Sequence, residues 1–256
     1  MTLPLINQFL KPLEIYQTRP ATQDDYTQRL ADGWHISQCM QPVKLNLLDT
    51  IDTADKSAKY IFQRQNNVAL ENCIEKSLNN IHSQHSKSRA FMPGVTPNIL
   101  SVYQRKYPAK IDMLAVDGAI DQGDLLADNQ ILFHGGAILQ NISVGSSLIT
   151  TRPLSTSLCP VKAFANGSWH SKYFNEKEAS LIILTVKSMS KKAFIFRING
   201  TDKGHEKEIL ISSGASLTVT SRVTLGQSFS VFGMGSIAGQ TLEKHCPFTV
   251  THAVIS

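Results

Sequence analysis

The hydrophobic pattern of the chain changes near residue 130, and no other feature of the sequence constrains the fold as strongly. Before this point, apolar side chains repeat at spacings of three and four, which predicts amphipathic helices at residues 24–38, 54–65 and 68–82. Beyond it, short runs of β-branched and aromatic residues alternate with turn residues, which predicts strands. We therefore expect an α+β fold, in which an α-rich region (residues 1–125) packs on a β-rich region (residues 126–256).

Local signals place the elements within these two regions. Pro93 and Pro97 interrupt the helical pattern, so a loop at 83–96 is expected before a short helix at 97–107. A further helix is expected at 160–166, among the strands. The predicted strands are 131–133, 180–186, 193–198, 208–212, 216–223, 228–232 and 248–255. Asn166-Gly167 and Asn199-Gly200 have the composition of turns between such strands.

Length and hydropathy exclude several classes of protein. The 256 residues are 42% hydrophobic, which is enough for one large core or two small ones. No window approaches the run of about 18 apolar residues that a membrane-spanning helix needs, so no span is expected. The first residues lack the basic flank and apolar core of a secretory signal peptide, so we expect no such signal.

Charge and cysteine spacing also limit the ligands. The net charge is +5 with the basic residues spread along the chain, which favours anionic ligands only weakly and predicts no nucleic-acid partner. The four cysteines form no Cys-x-x-Cys pair, so we expect neither a disulfide framework nor a metal site.

The first motif is the strand end Leu132-Phe133-His134-Gly135-Gly136. Glycines such as Gly135 let a ligand approach the backbone closely, and His134 can bond a ribose or phosphate oxygen. A strand that ends in a glycine turn is the better explanation of this motif when it stands alone.

Two further motifs follow in the β-rich region. In Ser155-Thr156-Ser157, strand alternation places both serines on one face, where one serine can orient a neighbouring carboxylate. In Glu206-Lys207-Glu208, two carboxylates precede an apolar strand. A charge buried there is costly unless it has hydrogen-bonding or ionic partners or a functional role. Taken singly, a common Ser/Thr cluster and a solvated charged loop remain the simpler interpretations.

The order and spacing of the three motifs, over residues 130 to 225, resemble the NAD-dependent mono-ADP-ribosyltransferases of the bacterial toxin and effector type. The family pattern is Arg, Ser-Thr-Ser and Glu-x-Glu, and the last two parts match here. His134 stands where the family has Arg. Arg152 could supply the phosphate-binding cation instead, because a planar guanidinium suits a pyrophosphate. The resemblance implies an ADP-ribosyltransferase-like mixed β-sandwich core in residues 126–256.

The resemblance also implies roles for individual residues. Glu208 would stabilise the positive charge that develops on the ribose, Ser155 would orient Glu208, and Glu206 would face the acceptor. Residues placed by the resemblance at the NAD site are His134, Gly135, Arg152, Thr156 and Ser157. Either Phe164 or Tyr173 would stack on nicotinamide.

The implied cofactor is NAD as a co-substrate, with no metal. The first expectation for the acceptor is an arginine of a host protein, and the second is a threonine, for example on ubiquitin. Residues 1–125 would help to dock that target. Such an enzyme would leave the bacterium through a secretion apparatus and act in the host cytoplasm. Because His134 replaces the usual Arg, a catalytically inactive binding module with the same fold is the alternative.

Overall fold

The computed structural model describes residues 1–64, 67–105, 111–197, 207–235 and 239–256. These residues form ten strands and nine α-helices. The strands are β1 (Leu13–Arg19), β2 (Val43–Ile51), β3 (Ile131–Gly135), β4 (Ser147–Ile149), β5 (Leu154–Ser157), β6 (Ala179–Val186), β7 (Ala193–Ile195), β8 (Glu208–Ile211), β9 (Ser216–Met234) and β10 (Thr241–Ile255). The helices are α1 (Gln23–Ala31), α2 (Ile36–Cys39), α3 (Ala54–Gln63), α4 (Val68–Asn79), α5 (Gln84–Ala90), α6 (Asn98–Arg105), α7 (Met113–Ile120), α8 (Pro160–Ser168) and α9 (Lys172–Asn175). The predicted α+β class is confirmed.

Eight strands form one mixed sheet in the order β4-β9-β10-β6-β3-β5-β8-β7. Strands β6 and β10 run parallel, and the other neighbours in this sheet are antiparallel. Every residue of β6 except Thr185 is buried, so its apolar run Leu181–Leu184 is covered on both faces. This order places β3, β5 and β8 side by side, although β6 lies between β5 and β8 in the sequence.

The N-terminal region contains two strands that the sequence analysis missed. Strands β1 and β2 pair antiparallel in a separate two-stranded sheet, in which Leu13 lies opposite Ile51. Most side chains of β2 are exposed. Val43, Leu45 and Leu47 alternate with Lys44 and Asn46, which is the pattern of a strand, so the signal was present in the sequence and was overlooked.

Two predicted boundaries in this region were wrong. The helix expected at 24–38 is interrupted at Gly33, whose φ of +82° suits glycine and ends α1 before α2 begins. The loop expected at 83–96 contains α5, whose N-cap Ser83 accepts a hydrogen bond from the backbone of Ser86. A serine followed by polar residues was taken for a loop, but here it caps a helix.

The C-terminal hairpin is longer than predicted. The strands expected at 216–223 and 228–232 are one strand, β9, which pairs with β10 from Leu217 to Met234. Gly226 lies inside β9 and does not end the strand. Glycine is required there by packing, since a side chain would collide with the ring of Phe62 on α3. Asn166-Gly167 lies inside α8 instead of in a turn between strands, and Asn199-Gly200 falls outside the described residues.

A single cluster of buried apolar residues runs through both regions of the chain. The Gln130 side chain joins them, because its Oε1 accepts from the Ile6 backbone at 2.8 Å and its Nε2 donates to the Ile6 carbonyl at 3.0 Å. The boundary at residue 125 stays a prediction. In the part of the chain that is described, no helix is long and apolar enough to cross a membrane.

We predict that His85 makes the fold sensitive to acid. This side chain is 1% exposed, and its Nδ1–H donates to the Leu78 carbonyl at 3.2 Å. Burial, reinforced by the positive charge of Arg89, lowers the pKa of His85 to about 4. The unfolded chain takes up this proton at the ordinary pKa of 6.5, so the free energy of unfolding should fall by ~3 kcal/mol as the pH drops from 6.5 to 4.

Urea denaturation of the wild type and of His85→Gln, at pH values of about 7 and about 4.5, measures this contribution. His85→Gln should lose distinctly less stability on acidification than the wild type. The exposed His82 provides the matched control, and His82→Gln should behave like the wild type. An equal acid sensitivity in wild type and His85→Gln would contradict the prediction.

Candidate functional site

Phe133 and His134 of the first motif, Ser155–Ser157 and Glu208 lie on three neighbouring strands. Phe133 of β3 pairs with Ser157 of β5, and Ser157 pairs in turn with Glu208 of β8. Because directly paired residues of antiparallel strands point to the same face, Ser155, two residues from Ser157, is the diagonal neighbour of Glu208. The sheet register therefore brings the serine motif against the carboxylate.

Glu208 is a buried carboxylate that two side chains hold. It is 5% exposed, and its Oε1 accepts a hydrogen bond from the Ser155 hydroxyl at 2.5 Å. Its Oε2 accepts a hydrogen bond from Nε2 of Gln104, on α6. A buried carboxylate is tolerated only when such donors replace water. The structure thus pairs the two residues that the sequence analysis linked, Ser155 and Glu208.

The other two residues of the serine motif bond to the protein backbone. The Thr156 hydroxyl donates to the Ile209 carbonyl at 2.7 Å, which ties β5 to β8. The Ser157 hydroxyl accepts from the backbone N–H of Cys159 at 3.0 Å, at the start of α8. Both side chains are buried and brace the strand. Contact of either one with NAD stays a prediction.

His134 links β3 to the backbone of the serine motif. Its Nδ1 lies 2.7 Å from the carbonyl oxygen of Ser155. A carbonyl only accepts, so Nδ1 carries the proton. Burial lowers the pKa of His134 below its ordinary value, so the ring is neutral near pH 7. Its Nε2 then presents an acceptor, whereas the arginine of the family pattern would present a cation.

Gly135 is required by packing within the protein. A Cβ at this position would lie 2.0 Å from the Ala163 carbonyl oxygen of α8 and 2.9 Å from the Tyr173 hydroxyl. Gly167 of α8 faces the same hydroxyl, since a Cβ there would lie 2.0 Å from it. The two glycines let α8 and Tyr173 approach β3 closely. Helix α8 therefore fills the space beside the Cα of Gly135, and contact of the Gly135 backbone with NAD stays a prediction.

Arg152 lies just before the serine strand and is exposed. Burial raises the pKa of the Tyr103 phenol on α6 to about 12, and the positive charge of Arg152 opposes part of this effect. The Tyr103 hydroxyl donates to the carbonyl of Pro153 at 3.2 Å. Arg152 is therefore at the surface beside α6 and β5, which is compatible with the predicted phosphate contact.

The two candidate aromatic residues lie in another cluster. Tyr173 is 1% exposed and its hydroxyl donates to the Ser180 carbonyl at 2.7 Å. The Phe164 ring packs 5.0 Å from Tyr173 and 5.1 Å from Phe248, between centroids. Both line a cavity of about 630 Å³ whose described lining residues include none of Ser155, His134 and Glu208. Stacking of Phe164 or Tyr173 on nicotinamide stays a prediction.

Glu206, the predicted acceptor-side residue, lies outside the described residues. The described residues contain no group of three or more His, Cys, Asp or Glu side chains that could hold a metal ion.

Gln104 is the residue of the site that the sequence analysis missed. It lies 104 positions before Glu208 in the sequence, inside a short helix, and belongs to none of the three motifs. No local signal identifies such a contact, because it depends on how α6 packs against β5 and β8.

Comparison with known proteins gives matches to structures only. No family model and no curated protein matches the chain. The solved structure of the Clostridium limosum C3 exoenzyme matches 70% of this chain and 94% of its own, at 16% identity and a TM-score of 0.43. The ADP-ribosyltransferase Vis from Vibrio splendidus, solved with agmatine, matches 76% of this chain and 89% of its own, at 13% identity and a TM-score of 0.42.

A third match is BECa, an ADP-ribosylating toxin of Clostridium perfringens solved with NADH. It covers 80% of this chain at 12% identity and a TM-score of 0.41, and this chain spans only 49% of BECa. The solved structures to which the chain is similar thus include bacterial ADP-ribosylating toxins, the family that its motifs resemble. At TM-scores below 0.5 the similarity is coarse, so function must be judged from the residues of the Glu208 site.

We predict that Gly135→Ala destabilises the protein by ~1–3 kcal/mol, because the added methyl group forces the Ala163 carbonyl and α8 away from β3. Gly118→Ala is the matched control. Gly118 is an exposed residue inside α7, and a Cβ there meets nothing within 4 Å. This control should raise stability by up to ~1 kcal/mol, since alanine is the better helix former. Chemical denaturation measures both, and a Gly135→Ala protein as stable as the wild type would show that the predicted clash does not occur.

Proposed function

We propose that this protein is an NAD-dependent mono-ADP-ribosyltransferase. One observation carries the proposal: the Ser155 hydroxyl donates a hydrogen bond to the buried Glu208 carboxylate at 2.5 Å. The two residues lie on the paired strands β5 and β8 and belong to the two motifs that resemble the family. The resemblance implies that Ser155 orients Glu208, and the hydrogen bond between them supports this role. A hydroxyl that fixes a buried carboxylate is the arrangement that preorganised electrostatic catalysis needs.

The reaction uses Glu208 as an anion. The bond between the nicotinamide nitrogen and C1′ of the ribose breaks, and its electron pair leaves on nicotinamide. The ribose ring then carries positive charge, which the fixed carboxylate of Glu208 stabilises without having to reorient. A nucleophilic side chain of the target attacks C1′ and gives up its proton. Glu206, two residues before Glu208, is our candidate for positioning the acceptor and receiving that proton.

His134 and Arg152 divide the binding of NAD between them. The neutral ring of His134 offers Nε2 as an acceptor for a ribose hydroxyl or an amide N–H. It carries no charge for the pyrophosphate, so we assign that contact to the exposed guanidinium of Arg152. NADH in the BECa structure supports a dinucleotide ligand.

The acceptor proposal keeps arginine first and threonine, for example on ubiquitin, second. The arginine choice is supported by Vis, which was solved with agmatine, a molecule that ends in a guanidinium group. We assign docking of a host protein to the N-terminal region, residues 1–125, with delivery from a bacterium and action in the host cytoplasm.

A catalytically inactive binding module is the competing proposal, and the neutral His134 in place of arginine favours it. The two proposals differ in one simple property. A ligand that binds only the folded state raises the apparent melting temperature. The enzyme should therefore melt at a higher temperature with saturating NAD, whereas a module that does not bind NAD should not respond.

We predict that Glu208→Gln lowers ADP-ribosyl transfer at least about 100-fold, because the neutral amide cannot stabilise the charge on the ribose. Purified protein is incubated with labelled NAD and a eukaryotic cell lysate, and labelled bands are identified by mass spectrometry.

Ser155→Ala should reduce the same activity while leaving the fold intact, since it only frees the carboxylate to rotate.

Glu243→Gln is the control, because Glu243 is an exposed glutamate of β10, outside the region assigned to docking. It should label the same band as the wild type does. A labelled band whose intensity does not depend on Glu208 would contradict the assigned mechanism. Absence of both labelling and NAD-induced stabilisation would favour the binding module.

A further inference from the structure

Helix α6 contacts the candidate site through two consecutive residues. The Tyr103 hydroxyl donates to the carbonyl of Pro153, two residues before Ser155. The Gln104 amide donates to Oε2 of Glu208. The helix is anchored in the core by Leu100, which is fully buried. A helix of the N-terminal region is therefore held in place against both strands that carry the proposed catalytic pair.

The Gln104 contact completes the hold on the Glu208 carboxylate. Ser155 occupies Oε1 and Gln104 occupies Oε2, so both oxygens are engaged from different directions. One donor alone leaves the carboxyl group free to rotate about the bond that joins it to its side chain. Two donors restrict that rotation, and hydrogen bonds to an ionised acceptor are the stronger kind.

The same glutamine is a poor choice for stability alone. Its Oε1 is buried and receives no hydrogen bond from the described residues. A buried acceptor without a donor destabilises a fold, whereas methionine has the same length and no such group. A need for an N–H donor at Glu208 therefore explains why position 104 carries an amide.

We infer that Gln104 is a positioning residue for ADP-ribosyl transfer, which holds Oε2 of Glu208 so that the carboxylate faces the ribose in a fixed orientation. This inference rests on the proposed function. The inference extends the proposed function, because it makes the N-terminal region a part of the active site in addition to its proposed role in docking the target. Gln104 itself acts through Glu208 and needs no contact with NAD for this role.

The test compares Gln104→Met and Gln104→Glu in the full chain. Methionine removes the donor and keeps the length of the side chain, and glutamate replaces the donor with a like charge. Steady-state release of nicotinamide from NAD is measured together with NAD binding by calorimetry and with thermal unfolding. We expect kcat to fall about 10- to 100-fold in Gln104→Met and further in Gln104→Glu. The KM for NAD should stay within about threefold in Gln104→Met.

Gln84, an exposed residue of α5, provides the matched controls, and Gln84→Met and Gln84→Glu should keep the wild-type kcat. An unchanged kcat in Gln104→Met would overturn the inference. So would a loss of activity that is matched by a lower unfolding temperature and weaker NAD binding, since that pattern indicates a purely structural role. Glu208→Gln, assayed in parallel, distinguishes failure of this inference from failure of the proposed function. If Glu208→Gln is inactive and the Gln104 variants have normal activity, only the inference about Gln104 fails. If Glu208→Gln is active, the proposed function itself fails.

Discussion

The buried carboxylate of Glu208 is the constraint on which the site depends. An ionised carboxyl group inside a protein is stable only when hydrogen-bond donors replace its water, and here Ser155 and Gln104 provide them. The antiparallel pairing of Ser157 with Glu208 brings Ser155 within reach, so the sheet register decides whether this pair forms. A slip of one residue between β5 and β8 would turn Glu208 to the other face and leave its charge without a partner.

The surrounding structure supports this pair from three sides. His134 bonds the Ser155 carbonyl from β3, the Thr156 hydroxyl ties β5 to β8, and α6 covers the carboxylate with Gln104. These contacts keep the site rigid before any ligand arrives, which is what electrostatic catalysis requires. Under the proposed function, a neutral His134 would leave the positive charge for the phosphates to another residue, and Arg152 is our candidate.

Sequence reasoning succeeded for the buried strands of the large sheet and for the contact that a family resemblance implies. The β-branched runs predicted the central strands, and the resemblance linked Ser155 to Glu208. The N-terminal hairpin was missed although Val43, Leu45 and Leu47 of β2 alternate with polar residues, so a local signal went unused. The packing of the Ala163 carbonyl of α8 against Gly135 was missed. Gln104 had no signal at all, because its role arises only when α6 packs on the sheet.

A crystal structure of the Glu208→Gln variant with NAD bound tests the central claim most directly, since the substitution should keep the site and prevent turnover. The account predicts that the nicotinamide ribose lies beside position 208 and Ser155, with His134 Nε2 accepting a hydrogen bond from the ligand. A nicotinamide ribose bound away from position 208 and Ser155, or no NAD at saturating concentration, would contradict the account.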